Sequence, residues 1–541
     1  MSAQEPNPSQ PVAPISEVTA LEKIAPKKNA ASNGDLIVKY KDKLKGVLSC
    51  YDRIVLTGNL YPLCFPQGAT SFLFRQHIRI FDYVKAFAEP LRDEIVTAIE
   101  TLAQDHRLTI EWVTPETGRK EARIQAILKT RGTQPGLVHI FAAMEKCRIY
   151  KPWHDKGTHK TFLTTAKSQC KHYYLYFIDP DLGLCFLRIP TYCPFRLQFY
   201  FNGHSWLAQQ LTARGIAFEL QDNAFVHLAD FEQANALAAH LDVKALQAKL
   251  DEYACRYCPP VKSLNLTCKW GISQIEYAMD LVFKDQAALQ AFYPHLLELL
   301  ILAVKPADIA TFLGRKLHGN FQGEAESRLN RVRHLGTRIK HTLGRVSLKM
   351  YDKFGVILRI ETTVNDVSFF RQYRPVHHRT GTTSKEWAPL LKSVWSLRPL
   401  RELLEAANQR YLKFIATLDT PEVGIPLLQR VTETVTEKAH RYKGFNLLAQ
   451  ADAELLRVLV RGEFAIGGFT HKNLRALLPN KTSGQVSRLL KRLRVHGLIR
   501  KVGKRYKYYL TVLGRQIATM ALKLRETYVI PTLAQTVRST A

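Results

Sequence analysis

Three features of the chain predict a multidomain protein of the α+β or α/β class. Strand-like runs alternate with long helical stretches up to about residue 265, a polar–apolar three-strand meander lies near residue 350, and the C-terminus is helical and strongly basic. A chain of 541 residues exceeds one core, and roughly three or four domains are expected. The divisions read from composition are a disordered tail over 1–34, a mixed-sheet α/β body over 35–265, and a basic antiparallel β-meander domain with flanking helices over 266–400. A helical connector over 401–445 and a strongly basic helix-and-hairpin domain over 446–541 complete the chain.

The formal net charge of +30 and sequence pI near 9.7 call for a polyanionic partner. A membrane is not expected, because the longest apolar stretch, Leu296–Val304, is interrupted by Glu298 and is too short to span a bilayer. That leaves nucleic acid. Nine cysteines without framework spacing indicate a reducing compartment, and the one C-x-x-C pair, Cys255 and Cys258, lacks further ligands at zinc-site spacing. No hydrophobic leader opens the chain, so a cytoplasmic location is expected.

The elements follow in order. The tail is rich in Pro, Ser, Ala and Asn without a structural period. GVLSCYDRIVLTGNL reads as a strand, Phe72–His106 as helices, TIEWV as a strand, Gly118–Thr130 as a basic helix and LVHIFAA as a strand. The block from Tyr173 to Trp206 carries eleven aromatic residues; Asp179-Pro180-Asp181-Leu182-Gly183 turns it once, and Asn202-Gly203 turns it again before a helix. Both alternating faces, Tyr174, Tyr176, Ile178 and Tyr173, Leu175, Phe177, are apolar, which predicts a sheet covered on both sides rather than a platform for bases. Helices are expected over Asp230–Tyr253, a strand over Trp270–Lys284, and helices over Gln286–Val304, Pro306–Leu317, Lys385–Val394, Arg398–Ala416 and Pro421–Lys438. No repeat of solenoid period is present.

In the meander GTRIKHTLGRVSLKMYDKFGVILRIETTVND, Leu348, Met350, Leu358 and Ile360 share one face. Ser347, Lys349, Tyr351 and Lys353 share the other with Arg359, Glu361 and Thr363. Cations, a phenol and a carboxylate on one sheet face suit a phosphodiester, with Lys349 and Arg359 as contacts and Glu361 as general base or ligand of a divalent ion. Asp52 and Asp179 are the carboxylates that could converge with Glu361 to hold Mg²⁺. The alternative is a solvated cross-strand ion-pair ladder. The wording KMYDK…LRIE resembles a strand pair near the nicking site of rolling-circle replication initiators and phage replication proteins, although their His-hydrophobic-His triplet has no counterpart here. That resemblance implies a Mg²⁺-dependent nicking activity, with no other cofactor. G-x-x-x-x-G-K, G-x-S-x-G and H-E-x-x-H are absent from the sequence, which leaves nucleotide hydrolysis, serine-hydrolase chemistry and zinc proteolysis unsupported.

Between Lys481 and Lys507 the chain holds ten Lys or Arg and no Asp or Glu. Val486, Leu489, Leu490 and Leu493 recur at helical spacing, Thr482 or Ser483 caps the start, Gly497 ends the helix, and Ile499–Leu510 reads as a hairpin around Gly503-Lys504-Arg505. Ala453–Val460 and Thr470–Leu477 supply two preceding helices. This order resembles the winged helix-turn-helix of MarR-like bacterial regulators. The resemblance implies that Gln485, Arg488, Lys491 and Arg492 on the third helix, with Arg500, Lys501, Lys504, Arg505 and Lys507 on the wing, contact DNA, or RNA as the second candidate. The blocks CYDRIVLTGNL, HYYLYFIDPDLG, NGHSWLAQQL and SLKMYDK…LRIETT are similar to those of a group of bacterial proteins, which implies a bacterial origin and no mechanism. The function expected is nucleic-acid binding in the manner of a transcriptional regulator, with a metal-dependent nuclease or nicking protein of a mobile element as the alternative.

Overall fold

The computed structural model describes residues 36–114, 118–316, 324–332, 336–418, 421–461, 464, 468–502 and 506–539. The expected tail over 1–34 lies outside them, as do the wing-tip residues Lys504 and Arg505. Two compact units, divided after residue 418, carry mixed helix and strand, the α+β multidomain class that the patterning predicts.

In the first unit, β1 (Leu44–Tyr61) is followed by α1 (Pro66–Arg75), α2 (Glu89–Asp105), β2 (Ile110–Trp112) and α3 (Lys120–Arg131). Four antiparallel strands come next: β3 (Gly136–Asp155), β4 (Lys160–Asp179), β5 (Gly183–Pro190) and β6 (Leu197–Asn202). α4 (Gly203–Thr212), the hairpin β7 (Phe218–Gln221) and β8 (Ala224–Leu228), α5 (Phe231–Ala238) and α6 (Val243–Tyr257) complete this half. The plan then recurs. β9 (Thr267–Phe283) is followed by α7 (Gln286–Gln290), α8 (Tyr293–Ala303) and α9 (Pro306–Phe312). The meander β10 (Ala325–Val332), β11 (Gly336–Leu343), β12 (Val346–Lys353) and β13 (Ile357–Val364) comes next, then the hairpin β14 (Arg371–His377) and β15 (Thr383–Pro389) and the long helix α10 (Leu397–Leu418).

β6 returns to pair with β1, β13 with β9, and β1 with β9. The eleven-stranded order β10-β11-β12-β13-β9-β1-β6-β5-β4-β3-β2 therefore reads as two mirrored meanders about the central β1–β9 pair, with β2 added at one edge. This internal repetition is one of connectivity, and no residue period announces it. It also corrects the expected boundary at 265/266: β9 lies in the middle of the sheet that β1 begins, so body and meander are one unit.

One sheet face is apolar. Tyr51, Ile54, Leu175, Leu187 and Phe199 pack there with residues of α1, α2 and α6, and Leu348, Met350, Leu358 and Ile360 pack with α8 and α10 through Leu296, Leu300, Tyr411 and Ile415. The residues from Tyr173 to Ile178 are all buried, as expected for a sheet covered on both sides. α10 belongs to this core through Leu400, Leu404 and Ala407, so the expected connector over 401–445 is split between the two units. Of the segment expected as a helix over Lys385–Val394, Lys385–Pro389 instead lies in strand β15, because pairing with β14 outweighs the helix propensity of Lys385 and Glu386.

The second unit begins with α11 (Pro421–Thr432) and a short hairpin, β16 (Val435–Glu437) and β17 (His440–Tyr442). It continues with α12 (Gln450–Leu459), β18 (Phe469–Thr470), α13 (His471–Ala476), α14 (Ser483–Val495), β19 (Ile499–Val502), β20 (Lys507–Leu510), α15 (Val512–Leu524) and α16 (Ile530–Ser539). The three strands are ordered β18-β20-β19. Val486, Leu490 and Leu493 of α14 are buried against Leu456, Phe469, Leu474, Ile499 and Ile517, with Leu489 half-buried beside them. Val431 and Phe445 share this core, so the expected boundary at 445/446 lies inside the unit.

Candidate functional site

The polar face of the meander is folded inside the first unit. Register places Lys349 opposite Glu361 and Tyr351 opposite Arg359 on β12 and β13, with Asp280 of β9 beside Arg359, as the two-residue strand period requires. A roof built of α4, β8 and α5 covers part of this face. Leu48 and Cys50 pack against Leu207, Phe225 and Ala234, while Ala224 packs on Val282 and Ile357.

Asp52 enters through a β-bulge. Between the pairs Tyr51↔Tyr277 and Ile54↔Ile275, β1 carries one residue more than β9, which turns the carboxylate toward Glu276 and Asp280. Asn202, at the end of β6, caps α4 by accepting from the N–H groups of His204 (2.8 Å) and Ser205 (3.2 Å) while its amide donates to Asp52 (2.7 Å). Gly203 permits this approach: a Cβ there would lie 2.1 Å from the carbonyl oxygen of Tyr51. His204 follows, with Nδ1 at 3.3 Å from Asp52 Oδ1 and Nε2 at 3.7 Å from Asp280 Oδ2.

Arg359 is 0% exposed and forms a fork to Asp280, 2.6 Å from both Nε and Nη2. It also donates to Asp52 (3.3 Å) and to the carbonyl of Asn223 (2.7 Å), whose amide in turn donates to Asp52 (2.6 Å). Lys349 donates to Glu361 (2.6 Å) and Glu276 (3.1 Å), Tyr351 donates to Glu361 (2.7 Å), and Lys353 donates to the side-chain oxygen of Asn223. Four carboxylates, Asp52, Glu276, Asp280 and Glu361, thus face three cations, Arg359, Lys349 and Lys353, in one network.

The charges shape one another. Burial alone would raise the Asp52 carboxyl, but hydrogen bonding to His204 and the charge of Arg359 hold it well below the carboxylate range, and Asp280 is held at about 2 against its own burial by Arg359. Burial and the nearby charge of Glu361 raise Glu276. Burial, with the charge of Arg359, brings Lys353 down to about 8, within reach of proton exchange near neutral pH. Exposure increases toward Glu276 and Lys349, whose side chains are 16% and 15% exposed, so the network opens to solvent at that end.

Asp52, Glu276 and Glu361 each present an oxygen within 4.8 Å of the others, a donor set that suits a hard divalent cation. The expected convergence of Asp52 with Glu361 is present, but Asp179 is not its third member. Asp179 accepts instead from the N–H groups of Asp181 and Leu182, each at 2.8 Å, from Lys249 at 2.9 Å and from Tyr253, and so holds the β4–β5 turn. Glu276 takes its place. Its strand reads as a plain apolar run flanking two carboxylates, and only the sheet order β13-β9-β1 brings it between Glu361 and Asp52. The ammonium of Lys349, bonded to both glutamates, competes for the place a metal ion would take. Arg359, expected on a surface for nucleic acid, is wholly enclosed because the roof comes from residues far away in sequence.

The C-terminal unit differs. Thr482 caps α14 in a reciprocal box with Gln485, accepting from the Gln485 N–H (3.3 Å) while the Gln485 side-chain oxygen accepts from Thr482 N–H (2.8 Å). Gly497 ends the helix at φ +74°. Lys481, Arg488, Arg494, Arg500 and Lys501 are exposed, and Lys507 is half-exposed. Besides Gln485, two expected cationic contacts are engaged internally. Lys491 is paired with Glu437 of β16, and Arg492 holds Asp452 (3.0 Å) and the carbonyls of Lys443 (2.8 Å) and Gly444 (2.6 Å) with its guanidinium over Phe445. The β16–β17 hairpin that receives Lys491 carries no signal read in the sequence, although Arg441 within it and Lys443 just after it are exposed. A shallow depression along α14 is lined by Arg441, Tyr442, Lys443, Lys481 and Arg488, and another on its other flank by His471, Ser487, Arg494, Tyr506 and Tyr508.

No protein-family profile matches the chain, and no curated protein matches it. Among solved structures, 3-hydroxy-3-methylglutaryl-coenzyme A reductase from Streptococcus pneumoniae aligns with a TM-score of 0.15 at 12% identity, over 84% of this chain and 79% of that one. A likeness of that size carries no argument. No helix among the described residues is long and apolar enough to cross a membrane.

Proposed function

We propose that the chain is a bacterial, cytoplasmic nucleic-acid-binding protein whose second unit contacts duplex DNA through α14, with β19–β20 lying along the backbone as a wing. The observation that carries this reading is the exposed cationic surface of Lys481, Arg488, Arg494, Arg500 and Lys501 around a helix whose apolar stripe is buried. The helix, strand, helix, helix, hairpin order with strands β18-β20-β19 supports a winged helix like that of MarR-like regulators. Fluorescence anisotropy of the full chain with labelled duplex over a salt series tests it. Affinity should fall steeply with salt, and absence of binding at low salt would overturn the reading; a parallel duplex RNA decides between the two polymers.

The first unit supports a second reading, metal-assisted phosphodiester cleavage, through the approach of Asp52, Glu276 and Glu361 within 4.8 Å. Under it, Mg²⁺ should permit and EDTA abolish cleavage of labelled single- or double-stranded substrate, and Glu361→Gln should remove cleavage while leaving binding intact. An equal absence of cleavage with Mg²⁺ and with EDTA excludes this reading and leaves the first untouched.

A further inference from the structure

The hairpin β14–β15 keeps one face open. Arg371, Tyr373, Pro375 and His377 are exposed while Gln372, Arg374 and Val376 between them are half-buried, so one phase of the strand period faces solvent. Register sets Tyr373 opposite Trp387 and Pro375 opposite Lys385 on that face. The two rings are 57% and 53% exposed, with centroids 6.1 Å apart. Arg371 and Lys385 flank them. The hairpin's acid, Glu386, pairs in register with Arg374 on the opposite face, so the open face carries cations and aromatic rings with no carboxylate, and four Lys or Arg stand against one Glu over Arg371–Pro389.

Two large rings held in water on a β-ribbon lose the burial that ordinarily stabilises them, and such surfaces are recognition surfaces. Positive charge beside them selects a polyanion. A duplex hides its base faces in the stack, whereas an unpaired strand offers them to rings while its phosphates meet the cations. We propose that β14–β15 is a binding site for single-stranded nucleic acid, with bases stacked on Tyr373 and Trp387 and phosphates held by Arg371 and Lys385. This rests on the reading of the chain as a nucleic-acid-binding protein, but uses a surface in the other unit from α14.

The test is titration of the full chain with a twenty-nucleotide oligo-dT and a twenty-nucleotide oligo-U, followed by anisotropy and by tryptophan fluorescence. Binding should quench fluorescence. Trp387→Phe, which keeps an aromatic surface, should retain most of the affinity and lose the largest part of the quench. Tyr373→Ala with Trp387→Ala should lose about tenfold or more in affinity with an unchanged unfolding midpoint, since both side chains are exposed. Arg488→Ala should weaken duplex binding without reproducing the loss of oligonucleotide affinity and of quench seen in the double variant. The stronger of the two oligonucleotides identifies DNA or RNA as the source of the strand. The inference is overturned if the double variant binds as the parent does, if the quench survives Trp387→Phe, or if a twenty-base-pair duplex displaces the oligonucleotide as well as its own kind does. If a duplex binds through Arg488 but neither oligonucleotide binds, this inference alone fails; if nothing binds, it falls together with the reading of the chain as a nucleic-acid-binding protein.

Discussion

Arg359 and Arg488 look alike in the sequence: each stands in a cation-rich segment on the polar side of a periodic apolar pattern. Their surroundings are opposite. Arg359 is 0% exposed and shared between Asp280 and Asp52, whereas Arg488 is exposed on a helix whose neighbouring acids, Glu437 and Asp452, are taken up by Lys491 and Arg492. The same side chain is therefore an internal counter-ion in one unit and a free charge in the other. A count of charges along a segment reports the field a protein makes, but not which charges are already spent on partners inside it.

The sharpest way to break this contrast is Arg359→Met. Removing the guanidinium leaves Asp280 and Asp52 buried without their counter-ion and should destabilise the first unit by about 3–5 kcal/mol, read from urea unfolding, while duplex affinity stays at the parent value. A variant of parental stability that had lost nucleic-acid binding would instead make the enclosed face a binding surface.

Next comes the pH response of the same unit. Burial pushes His341 down to about 4, where it lies between Ser327 (2.8 Å) and Tyr411 (2.9 Å). An unfolded histidine titrates at about 6.5, so the unfolded chain takes up the proton first on acidification. The stability of the neutral form is complete above that pH and is lost as pH falls from about 6.5 toward 4, by about 3 kcal/mol for this one group. Comparing unfolding free energies of the parent and His341→Gln across that window checks it, and parallel curves would refute it. Lys353 works in the alkaline direction. Its folded value of about 8 lies below the unfolded one, so the burial cost of the ammonium is fully present below pH 8 and is relieved as pH rises toward about 10.4. The parent should gain about 3 kcal/mol on Lys353→Met over that range.

Effects in the second unit should be smaller and should appear in binding rather than in folding. Arg488→Ala should cost about 1–3 kcal/mol of duplex affinity and leave the melting temperature unchanged, because the side chain is exposed. Arg500→Ala should weaken binding evenly across sequences and lower the salt slope by about one. If Arg488→Ala unfolded the domain while Arg359→Met altered only affinity, the contrast would have to be inverted.

How far these sites were legible follows from the range of the interactions. The helix α14, its Thr482 cap and its Gly497 end follow from local chemistry, and the structure has them where the residues predict. The partition of Lys349, Tyr351, Arg359 and Glu361 onto one strand face is likewise local, since adjacent side chains must alternate. Glu276 and Asp280 carry no such signal, because they join the network through pairing of β9 with β13. The burial of the meander face was unreadable for a related reason. Its roof descends from Asn202, His204 and Asn223, more than a hundred residues earlier, and depends on Gly203 letting a helix approach the carbonyl of Tyr51.

By itself the amino-acid sequence determined the class of fold, the meander with its segregated faces, the basic C-terminal helix with its caps, and the covered aromatic sheet around Tyr173–Ile178. All of these rest on periodicity, turn chemistry and composition, which act over a few residues. The tertiary structure alone decided that two meanders share one sheet, that a bulge at Asp52 brings it beside Glu276, and that Arg359 is enclosed while Arg488 is free. It also decided that Lys491 and Arg492 are held by Glu437 and Asp452. Those outcomes depend on which distant strands pair and which helix covers which face, and pairing energies between segments far apart leave no period in the chain to read.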